Sequence, residues 1–342
     1  MTDVSRRSSD ELARGTAGPV LPLVPYKSLD IRRIESMLQP HRLRSLSLVA
    51  LIGATLTPAA LAWNSTGHRV IATIAYQQLD EPTKRRVADV LKHHPAYADL
   101  WARRPTNGSD EIANLFWNAS IFPDDARGPR WKDFNRPLAH YVNYRILADR
   151  KLKVEPPVEG ENVLNSYEAN LRTLKDPRAS VVDKSVALSW IFHQAGDIHQ
   201  PLHSVARFSE SFPEGDRGGN GVKCPNPRTA SDRGKNLHAY WDDLIGVGET
   251  PETINTLAVQ LMSKYPKREF AEELAKTTIA DWSRESLDLS LSTVYNDLDP
   301  NIKQFADLPV GYEADAVRAA RRRATLAGYR LADELNRLFK DR

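Results

Sequence analysis

Residues 182–203 read VDKSVALSWIFHQAGDIHQPLH, and this stretch decides what kind of protein the chain can be. Val186, Ala187, Trp190, Ile191, Ala195 and Ile198 recur near the period of a helix, and the run is apolar enough to be buried. His193 and Asp197 stand four apart within it, so both lie on one face. Pro201 ends or kinks the helix, and His203 follows just beyond. Burying an aspartate is costly unless its charge is paired or bound to a metal. A core histidine bonded to an aspartate gives the same spacing, so one such pair does not choose between these.

A second pair lies further along the chain. His238 and Asp242 are again four apart, on a helix that opens near 236–238 and carries Tyr240, Trp241, Leu244 and Ile245. Two such pairs, with His203 beside the first, point to a metal. Nitrogen and oxygen ligands without thiolate suit hydrolytic zinc and leave positions open for water. Cys224 is the only cysteine, which excludes both an intramolecular disulfide framework and a cysteine-based zinc site. The 342 residues are 41% hydrophobic and 27% charged, ample for a sizeable core, and a net charge of +3 does not by itself imply a nucleic-acid partner.

The start of the chain supplies another candidate ligand. Residues 1–36 are polar without an apolar period and read as disordered, or as a mis-assigned start before Met37. Residues 37–62 read as a signal peptide: Arg42 and Arg44, then an apolar run from Leu46 to Leu56, then the exit Ala60-Leu61-Ala62. The apolar run is too short for a comfortable membrane span. The expectation is therefore an exported protein, periplasmic or secreted, with no membrane attachment after cleavage. A cut after Ala62 gives Trp63 a free α-amino group, with His68 five residues on. Amine and imidazole are both nitrogen ligands that zinc accepts.

From Trp63 the chain reads as mainly helical, a single domain over 63–342. Helices are expected from His68 to Leu79, from Asp80-Glu81-Pro82 to the pair His93-His94, and over 160–175. Two more are expected, from about Lys267 to Tyr295 and from about Glu313 to Phe339. His93 and His94 read as a polar helix end favoured by the dipole, and Arg321-Arg322-Arg323 as a solvated face. The stretch from Trp101 to Pro137, rich in Trp, Pro, Gly and Asp, reads as irregular. His140–Tyr144 suits a short strand, with room for one small β-hairpin. Residues 204–235 hold glycines and prolines without periodicity, and loops of that length are usually functional or disordered.

Taken together, Trp63…His68, Asp124-x-x-Arg127, His140-Tyr141, His193-x3-Asp197-x5-His203 and Asn236-Leu237-His238-x3-Asp242 resemble the zinc-dependent single-strand nuclease/3′-nucleotidase family, whose members include fungal P-one and S-one type and plant enzymes. The resemblance covers essentially all of the chain from Trp63. It implies a mainly α-helical domain around three zinc ions. Asp124, His140, His193 and Asp197 would hold one. The amine and carbonyl of Trp63, with His68 and a bridging Asp197, would hold the second, and His203, His238 and Asp242 the third. It further implies hydrolysis of single-stranded RNA, DNA and 3′-nucleotides to 5′-phosphate products and nucleosides by a zinc-activated hydroxide, with Arg127 stabilising the transition state. Asp124 and Asp197 count with Arg127 as catalytic.

The resemblance makes Tyr141 the aromatic on which a base stacks. Asn143 departs from it, since the family usually has an aspartate there that reads the base edge. His199 matches no family ligand and is read as supporting or structural. A monomer without a stable protein partner is expected. The nearest competing enzyme is zinc-dependent phospholipase C, which resembles the nucleases in fold and metal plan; the Asp124-x-x-Arg127 and Asn236-Leu237-His238 contexts favour the nuclease. A non-catalytic zinc-binding protein is the competitor from another class.

Overall fold

Helix α1 (Ser65–Gln77) begins where Asn64 stops being extended: its side-chain oxygen accepts the Gly67 N–H, one of the donors a helix start leaves unpaired. The same device opens α2 (Glu81–Leu91) at Asp80, α3 (Glu111–Asp125) at Asp110, α4 (Val163–Lys175) at Asn162 and α5 (Val181–Asp197) at Ser180. These come from a computed structural model that describes residues 63–103, 110–148, 153–157, 159–224, 236–296, 298–305 and 308–339. The expected disordered start (1–36) and signal peptide (37–62) lie outside the described residues.

The chain is mainly α-helical, as expected. Helix α5 is its axis, buried at every residue from Ser185 to Asp197. It is sheathed by α1, α2, α3, α4 and α10 (Tyr312–Phe339), and α10 also packs along α1. Between them come α6 (Leu237–Asp242), α7 (Pro251–Lys264), the short α8 (Ala271–Leu274) and α9 (Ile279–Leu289).

A three-stranded sheet sits at one end of α5. Strand β1 (Tyr144–Leu147) pairs antiparallel with β2 (Lys153–Glu155) and parallel with β3 (Val205–Phe208), with Tyr144 opposite Val205. The short strand expected over His140–Tyr144 meets β1 only at Tyr144, because Pro137–His140 forms a 3₁₀ turn; the hairpin forms further on, as the β1–β2 half of a larger sheet. The parallel pairing continues upstream, through Val142 N–H to the His203 carbonyl (2.8 Å) and Tyr144 N–H to the Ser204 carbonyl (2.8 Å). It therefore aligns the His140 segment with the His203 segment, although 63 residues separate them.

Several expectations need correction. The stretch 101–137 is not irregular throughout, because α3 occupies Glu111–Asp125. It is buried on nearly all sides from Ala113 to Pro123, so no polar face marks its period, and Pro123 falls in its last turn. The expected helix over 267–295 is broken. A 3₁₀ turn (Lys267–Phe270) and α8 come first, then Thr278 caps α9 by accepting the Asp281 N–H, and a π-turn (Ser290–Val294) closes the segment. Helix α7 was not anticipated.

His94 is no polar helix end. It lies 3% exposed, stacked on Trp101 at 4.3 Å, with its Nδ1 accepting the Ala96 N–H. Burial pushes it down to about 3, so it is neutral and serves the core. Of the three consecutive arginines, Arg323 is buried rather than solvated. Arg323 and Arg330 both donate to Glu285 (2.7 Å each to Oε2), and Arg330 adds a second bond to Oε1 at 2.8 Å. An arginine can be buried when its charge is met this way.

This network makes a pH-dependent contribution to stability. Burial acts to raise the Glu285 carboxyl, but the Arg330 and Arg323 contacts outweigh it and hold the group at about 2 against an ordinary 4.5. A folded value below the unfolded one means that the stabilisation is complete above pH 4.5 and is lost as pH falls toward 2. Glu285→Gln is expected to cost about 3 kcal/mol at neutral pH, as breaking a buried ion pair does, and clearly less at pH 3. Urea unfolding of both proteins at the two pH values measures this; an equal loss at both would contradict it.

Candidate metal centre

Two clusters of nitrogen and oxygen donors meet at the C-terminal end of α5. The first holds His68, Asp124, His140, His193 and Asp197, drawn from α1, α3, the 3₁₀ turn Pro137–His140 and α5. Asp197 Oδ2 lies 3.0 Å from His140 Nδ1 and 3.2 Å from His193 Nε2, and its Oδ1 is 3.3 Å from His68 Nε2. His193 Nε2 is also 3.7 Å from Asp124 Oδ1. The second cluster holds His203, His238 and Asp242. There the two Nε2 atoms are 3.1 Å apart, and His238 Nε2 is 3.7 Å from Asp242 Oδ2. His203 Nδ1 stands 4.0 Å from Asp197 Oδ2, which joins the clusters.

Local packing explains the convergence. His68 lies against α5 only because residue 196 is glycine: a Cβ there would stand 2.9 Å from His68 Nδ1. Its ring stacks on that of His193 at 4.1 Å. Three of the rings have their far nitrogen committed to a carbonyl. His193 Nδ1 donates to Ser120 (2.8 Å), His203 Nδ1 to His140 (2.7 Å) and His238 Nδ1 to Gly218 (2.7 Å). When neutral, each of these rings presents an Nε2 lone pair to its cluster.

That arrangement fits a cation and is poor without one. In the second cluster, with both rings neutral, two lone pairs face each other beside a carboxylate, a contact that needs a proton or a cation between them. In the first, His68 has no hydrogen bond at either ring nitrogen, and Asp197 Oδ1 has none. Asp197 and His193 are fully buried. Burial lowers His68 and pushes His140 down to about 4, which keeps both neutral and able to coordinate. Burial opposes ionisation of Asp197, but the charge of His193 and the surrounding histidine bonds overcome it and hold the carboxyl well below its usual range. His193 is raised: burial would lower it, and the Asp197 and Asp124 charges outweigh that. Burial, with Asp243 and the two other carboxylates adding to it, drives Asp242 well above its usual range. Both clusters call for positive charge, which protons or a divalent cation can provide, and one cation can accept several of the lone pairs at once.

The remaining expected residues lie close by. Arg127 Nη2 pairs with Asp124 Oδ1 at 3.0 Å, and both side chains are 17% exposed, so they form the partly open rim of a closed site. Tyr141 is half-buried beside His140, and Asn143 is partly exposed two residues on. Burial raises the Tyr141 phenol, and the Arg127 charge opposes this. Trp63 is fully buried, and its indole N–H donates to the Gly196 carbonyl (3.0 Å), next to Asp197. Asn64 fixes the main chain there: its N–H reaches the Asp242 carbonyl (3.4 Å) and its amide donates to Asp243 Oδ1 (2.7 Å) and the Gly246 carbonyl (2.9 Å). His199 lies outside both clusters, with Nε2 against Arg330 at 2.8 Å, a structural position.

Two residues of the site were not anticipated. Gln200 donates to Asp242 Oδ1 (2.7 Å) and accepts the Leu202 N–H (2.6 Å). Gln194 donates to the Ala139 carbonyl (2.9 Å) and to Ser166 Oγ (2.9 Å), which fixes the turn that carries His140. Both are fully buried amides in an apolar segment, so the reasoning applied to Asp197 would have found them.

A model of the S1/P1 nuclease family matches residues 63–340. The chain is similar to Endonuclease 3 of Arabidopsis thaliana, with 27% identity over 319 residues that cover 87% of this chain and 96% of that protein. It is also similar to Endonuclease 4 of the same plant, with 26% identity over 318 residues, 85% and 94% of the two chains.

If a divalent cation neutralises these buried carboxylates, removing it destabilises the fold. A chelator is expected to lower the thermal midpoint by about 5 °C or more, as loss of a ligand well above its Kd does in a chain of this size. Calorimetry with and without chelator measures it, and an unmoved midpoint would mean that protons alone satisfy the cluster.

Proposed function

This chain belongs to the S1/P1 nuclease family and is a nuclease acting on nucleic acid; from that premise we propose that it is an exported endonuclease that hydrolyses single-stranded RNA and DNA to 5′-phosphate products and also dephosphorylates 3′-nucleotides. The observation that carries this reading is the pair of joined clusters whose histidine lone pairs and buried carboxylates converge behind an arginine-bearing rim.

The family is zinc-dependent, and the donor set suits zinc: imidazoles and carboxylates, no thiolate, in groups of three or more. We assign Asp124, His140, His193 and Asp197 to one zinc. Trp63 through its amine and carbonyl, His68 and Asp197 take a second, and His203, His238 and Asp242 a third. Zinc bound in these groups supplies Lewis acidity toward a phosphate oxygen and a water of near-neutral pKa. The chain's own residues do the rest. Asp197 offers one carboxylate oxygen to each of two neighbouring groups, since Oδ1 faces His68 and Oδ2 faces His140 and His193. Arg127, at the rim beside Asp124, has the planar fork that holds two phosphate oxygens as charge builds on them.

Substrate choice follows from the recess. The cluster histidines are at most 4% exposed, so a scissile phosphate can approach only if the flanking base leaves its stack, which a duplex resists. Tyr141 is the stacking platform. Asn143 reads the base edge with an amide that both donates and accepts. Export is supported by the signal-like run 37–62 and by a family match that begins at Trp63. No described helix is long and apolar enough to cross a membrane. The protein acts as a monomer in this reading.

Product analysis on single-stranded RNA and DNA tests the proposal, using the chain that begins at Trp63 and one that keeps a single residue before it. The first is expected to release 5′-phosphate ends. The second should lose most activity, because the α-amine becomes an amide that cannot coordinate. Turnover of phosphatidylcholine alone would sink the nuclease reading, and full activity of the extended chain would sink the role of the amine. Asp197→Ala is expected to lose two zinc ions rather than one; zinc counting by mass spectrometry checks this, and loss of one would refute the bridge.

A further inference from the structure

The loop between β3 and α6 contains three consecutive residues in the left-handed region: Arg217 (φ 55°), Gly218 (φ 61°) and Gly219 (φ 80°). A non-glycine residue there is unusual and persists only where its surroundings fix it. The loop is wedged between the two histidine-bearing segments of the second cluster. A Cβ on Gly218 would stand 2.4 Å from the Leu202 carbonyl and 3.5 Å from His238 Nδ1. One on Gly219 would stand 3.3 Å from Leu202 Cδ1 and 3.4 Å from His238 N.

Asp216 anchors this turn. It is fully buried; Oδ1 accepts the Arg207 N–H (2.9 Å) and Oδ2 accepts the Tyr295 hydroxyl (2.7 Å). The Arg207 guanidinium supplies its counter-charge, with Nε 3.7 Å from Oδ2, and lies over the Tyr295 ring at 4.5 Å. The main chain is tied as well: Asp216 N–H reaches the Arg207 carbonyl (2.9 Å), and Gly221 N–H reaches the Asp216 carbonyl (2.9 Å). Arg207 is on β3, which starts two residues after His203. One buried carboxylate therefore connects the His203 strand, the segment after α9, and the loop whose Gly218 carbonyl receives His238 Nδ1–H.

We propose that Asp216 and the left-handed turn 217–219 are positioning residues for His238, holding the Gly218 carbonyl so that the ring is fixed as its Nδ1–H tautomer with Nε2 free to coordinate. A neutral imidazole has two tautomers, and the hydrogen bond at one nitrogen decides which lone pair the other offers. A backbone carbonyl has no side chain to conserve, so its aim depends on the turn, and the turn depends on Asp216. The consequence for zinc rests on the reading that His203, His238 and Asp242 hold one.

Two measurements on Gly218→Ala and Asp216→Asn test this, with Gly311→Ala as a control for strain alone, because Gly311 has φ 84° but nothing within 4 Å of an added Cβ. In chelated protein, histidine ¹⁵N shifts are expected to report an Nδ1–H tautomer for His238 in the wild type and the control, and a tautomer mixture in the two variants. With zinc restored, the variants are expected to bind the last zinc about 10–100-fold more weakly, which competition with a chromophoric chelator reads. An unchanged His238 tautomer in both variants overturns the positioning role. A changed tautomer, with a wild type that takes no zinc at this cluster, leaves the positioning role standing and removes the zinc assignment. If Gly218→Ala does not fold, Tyr295→Phe removes one bond to Asp216 and should shift the tautomer in the same direction; no shift there overturns the proposal.

Discussion

An ionised carboxylate at the buried end of a helix that has no wet face from Ser185 onward is the constraint to which the rest of this fold answers. Asp197 closes α5, is fully buried, and leaves Oδ1 without a hydrogen bond. In a low-dielectric interior such a group needs positive charge within reach. The chain brings four histidines toward it, two of them, His193 and His203, with Nδ1 tied to a backbone carbonyl, and Arg127 pairs with the neighbouring Asp124. The turn after α5 is braced from behind by α9 and α10. Ser286 Oγ donates to the Ile198 carbonyl (2.5 Å), Ser290 Oγ to the Pro201 carbonyl (2.8 Å), and Arg323 reaches the His199 carbonyl (3.5 Å). These bonds fix the path between Asp197 and His203, and so the spacing of the two clusters.

Much of this was legible from residues alone where period and polarity agreed. Helix α5 announced itself by its apolar run, and the two His-x-x-x-Asp pairs by the cost of burying their carboxylates. Helices α1, α2, α4 and α10 have a polar face that marks their period. Helix α3 does not, being buried on nearly every side, and the breakers around it masked 15 helical residues that include Asp124. Helix α7 did leave a signal: Thr250-Pro251 is the same cap and first-turn proline pattern that was read correctly at Asp80-Glu81-Pro82.

Tertiary context explains the other differences. His93 beside His94 is exposed and Arg322 beside Arg323 is half-exposed, so the local pattern hides their burial, which contacts with Trp101 and Glu285 make favourable. The glycine-rich loop read as either functional or disordered, and the role of Gly218 resides in its carbonyl, which every residue has. Glycine is needed there because the conformation is left-handed and the Leu202 carbonyl leaves no space for a Cβ.

The contact of α1 with α10 has a bearing on how the protein is made. Donors run from His68 to Asp242, yet the residues that hold them in place continue through Tyr295 to Arg330, and α10 ends at Phe339. Pairings this distant are slow to form, since long loops must close before the contacts reward them. A chain without α10 lacks one wall of α1 and the brace behind α5. Assembly of the centre therefore depends on α10 being in place, and not only on the segments that carry the histidines.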